Sequence, residues 1–441
     1  MNFDFHFRLY SGLYEENHFS DRKMSSNFDS FIDTSKASMI NYNCISVKKI
    51  QMKKIFPFII LFFVILSCEE GSLDEDITIV DDDQEIVPDK EDENTDPESN
   101  KGVLYIAGSY NTGGQEYGAY WTDSNNDGKW DRTDLDDSRV IHDIIVKDGI
   151  IYAVGETTWI RGDGQDPALW INGIKTELDA PNNDEDWGGA TAYAIALHGD
   201  DIYISGNYAS KKADFGGVSS ACYWIVNNNN PQGKLYPLEN GVSSDAYGIA
   251  ILNGQPISVG WYQKEHKIMP AKWVGNKRSN LDGKNDGEAM DIVVDGENYY
   301  ISGWTDNKRQ ATHYYPTVWK NNQSSRKTLK EGKLRRNEVS SNDREAYASS
   351  IIAKNGNIYA TGYTYFDYSV TSASYWTIDF SENNPVNEIT EFNGGEMKDL
   401  VISDNGDIIT VGSGELWING TTSEVIDPAF VVYPNAITIS E

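Results

Sequence analysis

Cysteine is scarce in this chain of 441 residues: only Cys44, Cys68 and Cys222 are present. No disulfide framework can be drawn from three thiols, so the fold must rest on packing. Cys222 stands in the run ACYW and reads as a small buried apolar residue. Histidine is scarce too, and the four in the body of the chain (His142, His198, His266 and His313) never fall at metal-ligand spacing. There is no G-x-S-x-G elbow, no H-E-x-x-H and no glycine-rich phosphate loop, which removes the common hydrolase, zinc-protease and nucleotide signatures. Positive charge is in deficit, 37 Lys and Arg against 68 Asp and Glu, a formal charge of −31. Such a chain repels nucleic-acid phosphates and anionic lipid alike. Long apolar runs are missing except for Ile55 to Leu66, and twelve residues are too few to span a bilayer core of about 30 Å as a helix.

What is abundant is periodic. Seven strands end in glycine: YIAG at Gly108, YAVG at Gly155, YISG at Gly206, ISVG at Gly260, YISG at Gly303, YATG at Gly362 and ITVG at Gly412. Each is followed, in the next predicted strand, by a tryptophan: Trp121, Trp170, Trp224, Trp273, Trp319, Trp376 and Trp417. Successive glycines lie 47, 51, 54, 43, 59 and 50 residues apart. Units of that length, made of short β-type runs, predict a propeller, because one four-stranded unit cannot bury both its faces alone. Within a unit the strands, a to d, are separated by Asx-Gly pairs suited to tight hairpins, as at Asp148-Gly149, Asn253-Gly254, Asn355-Gly356 and Asn419-Gly420.

Gly102 leads straight into a strand b, so the first unit lacks its strand a. The run PNAITIS, Pro434 to Ser440, repeats the strand-a pattern of HDIIV and MDIVV. The expected fold is therefore all-β: a seven-bladed β-propeller of four-stranded antiparallel blades over residues 102–441, closed by the C-terminal strand joining the N-terminal blade. The Y-x-x-G strand preceded by Asx-Gly (NGNIYATGYT, DGENYYISGWT) resembles bacterial seven-bladed propeller repeats, and the strand-c tryptophan resembles kelch blades, without kelch's paired glycines. The resemblance implies a fold and an extracellular setting, with no single activity attached. The repeated tryptophans are assigned to packing between blades.

Ahead of the repeats, MKKIFPFIILFFVILSC has a positive n-region (Lys53, Lys54), an apolar h-region and a small-residue cleavage site ending at Cys68. The terminal LSC resembles a bacterial lipobox, which implies a signal peptide over 52–67, cleavage before Cys68 and lipid on its sulfur and amine; the alternatives are a short membrane anchor or an ordinary secretory signal. Residues 1–51 are then expected to be a start-site overcall, with translation beginning at Met52, or a non-native extension. Residues 68–101 form the lipidated cysteine plus a tether; Glu69 to Asn100 carries fifteen acids against Lys90 and cannot bury a core. The acids directly after the cysteine resemble the export signal of surface lipoproteins of the Bacteroidota, which implies an outer-membrane lipoprotein exposed at the cell surface, attached to membrane through the lipid only.

Antiparallel order places the long b–c loops and d–a connections on one face, where binding on a rigid scaffold usually resides. Asp245, Glu288, Glu345 and Glu396 offer carboxylates there in four successive units, with Tyr193, Tyr247 and Tyr347 beside them and Trp261, Trp304 and Tyr363 directly after strand b. Aromatic faces with nearby carboxylates suit a sugar ring, and equally a cationic peptide; aromatics here also wedge between blades. Asp143, Asp291 and Asp399 share a further repeat position on strand a, where they either line the channel or pair with neighbouring backbone.

One loop has the spacing of a cation site. In DSNNDGKWDRTD, Asp123, Asn125, Asp127, Lys129 (through its carbonyl), Asp131 and Asp134 fall at positions one, three, five, seven, nine and twelve, with Gly128 at six. The series resembles the dockerin-type calcium loop, which implies structural Ca2+; the alternative is an Asx-rich hairpin like those of the other units. Three functions follow: a non-catalytic binder of an extracellular ligand, glycan ahead of protein; a polysaccharide-active hydrolase or lyase using the acidic residues; or a structural partner in a cell-surface complex.

Overall fold

The computed structural model describes residues 102–124, 128–157, 166–180, 189–210, 218–307, 310–331, 344–366, 370–380, 387–392 and 395–440. The segments read as overcall, signal and tether, including Cys68, lie outside the described residues. The described residues form strands and turns, in seven antiparallel sets of four. The first set joins β1 (Leu104–Thr112), β2 (Gln115–Thr122) and β3 (Asp131–Asp134) to the last strand of the chain, β28 (Val431–Ile439), in the order β28-β1-β2-β3. The second is β4 (Ser138–Lys147), β5 (Ile150–Thr157), β6 (Pro167–Ile171) and β7 (Ile174–Glu177). The third is β8 (Ala190–His198), β9 (Asp201–Ser210), β10 (Val218–Asn227) and β11 (Asn230–Pro237). The fourth is β12 (Ser244–Leu252), β13 (Gln255–Lys264), β14 (Lys267–Val274) and β15 (Lys277–Asn280). Next come β16 (Gly287–Asp295), β17 (Asn298–Asn307), β18 (Gln310–Lys320) and β19 (Asn322–Thr328). The sixth set is β20 (Arg344–Lys354), β21 (Asn357–Phe366), β22 (Val370–Ile378) and β23 (Asn387–Phe392). A short parallel pairing of β18 with β20, His313 to Arg344 and Tyr314 to Glu345, merges the fifth and sixth sets into one eight-stranded sheet. The seventh is β24 (Asp399–Ile402), β25 (Ile408–Gly412), β26 (Glu415–Ile418) and β27 (Thr421–Val425).

The turns follow from the Asx-Gly pairs. Asp148-Gly149, Asn172-Gly173, Asn253-Gly254, Asn355-Gly356 and Asn419-Gly420 all place both residues at positive φ, between 49° and 81°. That is the geometry whose twist matches two right-handed strands, and Asx and glycine are the residues that tolerate it. The seven strand-b glycines answer a different demand. A Cβ on Gly108, Gly155, Gly206, Gly260, Gly303, Gly362 or Gly412 would overlap a carbonyl oxygen of the adjacent strand a: Tyr433, Val140, Thr191, Asp245, Glu288, Tyr347 and Glu396 respectively. The carbonyl presses in because strand a carries a β-bulge just beyond it, seen between Ile141/Asp143, Ala192/Ala194, Ala246/Gly248, Ala289/Asp291 and Ala348/Ser350, and opposite Ala107/Gly108 in the β1–β28 ladder. Glycine and bulge are thus one device, repeated in the first six sets.

Packing joins each set to the next. The seven tryptophans are all fully buried. Trp224 lies with Val154 and Leu169 of the preceding set, Trp273 with Tyr203 and Tyr223, and Trp319 with Ile257 and Val259. Trp376 meets Tyr300 and Val318, Trp417 meets Ala373 and Phe392, and Trp170 meets Ala107. Trp121 of the first set packs with Val411 and Leu416 of the last. The indoles also donate backwards. Trp170, Trp224 and Trp376 reach the carbonyls of Asp136, Asp179 and Lys330 at 3.0, 2.6 and 2.8 Å, and Trp273 reaches Glu239 at 3.0 Å. Arg132 holds Asp427 at 3.1 Å and lies over the Tyr110 and Phe430 rings, tying the last connection to the first set.

Candidate functional site

The bulges decide what gathers where strands a begin and the b–c loops leave strands b, here called the mouth. By inserting a residue, each bulge turns one extra side chain inward. His142, Tyr193 and Tyr247 are three such residues, and their rings form an edge-to-face row with centroids 5.4 and 5.3 Å apart. Asp245 stands beside this row. Its Oδ1 accepts from Asn207 Nδ2 at 2.7 Å and from Ser219 Oγ at 2.8 Å, while Trp261 Nε1 donates to the Tyr247 hydroxyl at 2.9 Å. Burial pushes the Asp245 carboxyl up, and the hydrogen bonds from Asn207 and Ser219 oppose it.

A second cluster forms across β17, β18, β20 and β21. Trp304, Tyr314, Tyr347, Tyr363 and Tyr365 pack ring against ring, the Trp304 and Tyr314 centroids 4.3 Å apart and those of Tyr347 and Tyr363 5.0 Å. Tyr347 donates to Glu345 Oε2 at 3.0 Å, and Tyr365 donates to Glu396 Oε1. Lys398, directly before β24, donates to Glu396 Oε2 at 2.8 Å.

Glu288 links the two clusters. It is 7% exposed, interacts electrostatically with Asp245 and Tyr247 on one side and Tyr363 on the other, and is raised to about 8, first by burial and second by the Asp245 charge. Glu396 moves the opposite way. Burial pushes it up, but the Lys398 ammonium and the bonds from Lys398 and Tyr365 outweigh that and leave it lowered. The mouth therefore holds a carboxyl that is a neutral donor near pH 7 and one that is an ionised acceptor.

The ladders correct one alignment. Gly362 pairs with Ala348, as Gly260 does with Ala246 and Gly303 with Ala289, so the counterpart of Asp245 and Glu288 in the sixth set is Tyr347, not Glu345. Glu345 lies two residues further out, opposite Tyr365, because β20 starts earlier than its relatives. The small residue facing each glycine (Ala192, Ala246, Ala289, Ala348) is the signal that would have fixed this. Among the predicted aromatics, Tyr247, Trp304, Tyr347 and Tyr363 are buried, whereas Tyr193 and Trp261 are half-buried and keep part of their faces open.

Three further groups come into view only in the fold. Arg139 bridges Glu156 at 2.9 Å and Glu116 at 3.2 Å, and Thr191 reaches Glu156 from the next set. Asn207 and Lys398 are the other two. Asp143, Asp291 and Asp399 pair with neighbouring backbone: each accepts the N–H of the next inner strand, from Ile195, Ile351 and Ile437 at 2.9, 3.0 and 2.9 Å.

The cation-like loop sits at the opposite end. Asp123 Oδ2 accepts from Gly128 N at 3.0 Å, Asp134 pairs with Arg132 at 2.8 Å, and Asp131 and Asp134 are the ends of β3. Asn125 and Asp127 lie outside the described residues, and Lys129 falls between the loop and β3. Among the described residues no three His, Cys, Asp or Glu are gathered as a metal site. An open depression of about 790 Å³ lies beside the end of β13 and the turn into β14, lined by Tyr262, Lys264, Glu265, Arg278 and Asn280 among others.

No family model matches the chain, and none of the curated proteins matches it. Solved structures resemble it in strand arrangement. A putative 6-phosphogluconolactonase from Bacteroides fragilis is 10% identical, with 78% of this chain and 99% of that one covered and a TM-score of 0.40. The β-propeller domain of the Trilobed protease from Pyrococcus furiosus is 11% identical over 74% and 96%, with a TM-score of 0.40. An α-L-arabinanase from Cellvibrio cellulosa is 12% identical over 56% and 93%, with a TM-score of 0.30. At this distance function has to come from the residues themselves.

Proposed function

We propose that the seven four-stranded sets form one closed seven-bladed β-propeller whose mouth binds a neutral, hydroxyl-rich extracellular ligand, a glycan, without turning it over. Closure is supported by the pairing of β28 with β1 and by the apolar cluster that joins Trp121 to Val411 and Leu416. The observation that carries the ligand reading is the state of the mouth's acids. Glu288 is raised to about 8 and so is uncharged near neutrality, and Lys398 offsets Glu396. The mouth is thus far less anionic than its sequence suggests, which favours hydroxyl groups over a cationic peptide. Glu288 would donate, Glu345 and Glu396 would accept, and the open faces of Trp261 and Tyr193 would stack on sugar C–H surfaces. In this reading Cys68 carries the lipid, residues 68–101 serve as the tether, and the propeller is presented at the cell surface.

A second reading, a glycan-cleaving enzyme, is favoured by the opposite shifts of Glu288 and Glu396, since a raised and a lowered carboxyl are what acid and base roles require. A glycan-array screen of the full chain, followed by titration of any hit, tests both. Trp261→Ala should weaken binding roughly tenfold, the value of one aromatic stack of about 1.4 kcal/mol. Glu288→Gln, which keeps a neutral donor, should bind like the parent. Raising the salt from low to high should change affinity little, because neither partner depends on charge. A silent array would overturn the glycan reading and direct the search to surface proteins, and turnover of a bound glycan that Glu288→Gln abolishes would establish the enzyme.

A further inference from the structure

We propose that a single proton, shared through the Ser350 hydroxyl between Asp291 and Asp399, latches inner strands β16, β20, β24 and β28 together, and that the latch loosens when this proton is lost. Asp143 and Asp291 follow the bulge of their strand and Asp399 opens β24, and each spends one oxygen on its own neighbour's N–H: Ile144, Ile292 and Leu400, all at 2.7 Å. The other oxygen accepts from the next inner strand, at Ile195, Ile351 and Ile437. Ser350 occupies the same ladder position in β20. Its Oγ lies 2.9 Å from Asp291 Oδ2 and 2.6 Å from Asp399 Oδ1.

A hydroxyl has one hydrogen, and an ionised carboxylate only accepts. Two full, two-centre hydrogen bonds require one carboxyl to be protonated and to donate to Ser350 Oγ while the serine donates to the other. The 2.6 Å separation is the length of an O–H···O bond to a charged partner. The remaining inner strands put Ala194, Gly248 and Ala436 at this level, and the charged group facing the pair from them is Asp143. The surroundings agree: burial first, and the Asp399 charge second, raise Asp291 to about 7.

The sign follows from linkage. The folded pair holds a proton that the unfolded chain releases near pH 4, so the folded state binds more protons between about 4 and 7. The latch is fully present below that window and is lost as pH rises through about 7. It spans the strand that pairs with β1, so its loss weakens the junction of the two chain ends.

The test uses the full chain. Neutron diffraction at pH 6 is expected to find two deuterons along the Asp291–Ser350–Asp399 line, one hydroxyl and one carboxyl; a single deuteron would overturn the proposal. In solution, Asp399→Asn removes one of the two coupled carboxyls and should remove the fall in folding equilibrium constant that the shared proton contributes, roughly tenfold per pH unit within the window. An unchanged slope would also overturn it. If that variant fails to fold, the deuteron count on the unaltered chain decides alone.

Discussion

Each strand-b glycine is set by a carbonyl oxygen, not by its own turn. Gly260 has no room for a methyl because the Asp245 carbonyl, pushed in by the bulge at Ala246/Gly248, occupies that space. Gly254, six residues earlier in the turn between β12 and β13, faces a different constraint: its φ is +73° but its Cβ position is nearly open. Substituting alanine separates the two. Gly260→Ala must displace backbone and should cost about 3 kcal/mol, the upper range of core overpacking. Gly254→Ala should cost about 1 kcal/mol, the left-handed backbone penalty for a side chain. Chemical denaturation of both variants checks this, and equal losses would refute the steric account. The tryptophans were legible for the same local reason, since one residue type at one place in each unit needs one structural cause. Tyr193 and Tyr247 are legible as candidate binding residues, but the placing of His142 in the same row is not, because an inserted residue changes direction without leaving a mark in composition.

At the scale of strands, hairpins were the most legible feature. Asn-Gly and Asp-Gly pairs act within four residues, and five of them adopt the double positive-φ turn their chemistry favours. Register between strands was less legible. An acid before strand a looked equivalent in four units, yet in the sixth the ladder sets Tyr347 against Gly362 and moves Glu345 outward. Aligning on an acid rather than on the small residue opposite the glycine gave the wrong offset. The C-terminal strand was readable as a displaced strand a, and it pairs with β1 from Leu104↔Ile439 to Asn111↔Val431. Deleting Pro434–Glu441 should therefore remove cooperative unfolding, since β1 would lose its inner neighbour and the Trp121 cluster would lose Ile437. Calorimetry reads this directly: a single sharp transition at the parent temperature would show that β28 does not hold the first set.

For the whole molecule, the sequence announces repetition and acidity but not convergence. The Glu116–Arg139–Glu156 bridge draws on β2, β4 and β5 and meets Thr191 of β8. Glu288 senses Asp245 and Tyr363, 43 residues before and 75 after it in the chain. No spacing rule could have joined these groups, because the meeting is made by the stacking of whole units. The formal charge of −31 is also a poor guide to the mouth, where burial keeps Glu288 neutral and Lys398 balances Glu396. The claim that matters most is that ligand enters at this mouth rather than on the outer strands. Hydrogen–deuterium exchange of the full chain, with and without a glycan found by the array, tests it most directly. The account predicts protection confined to the starts of β8, β12, β16, β20 and β24 and the ends of β9, β13, β17 and β21. Protection centred instead on outer strands such as β15 and β27, with the mouth unchanged, would contradict it.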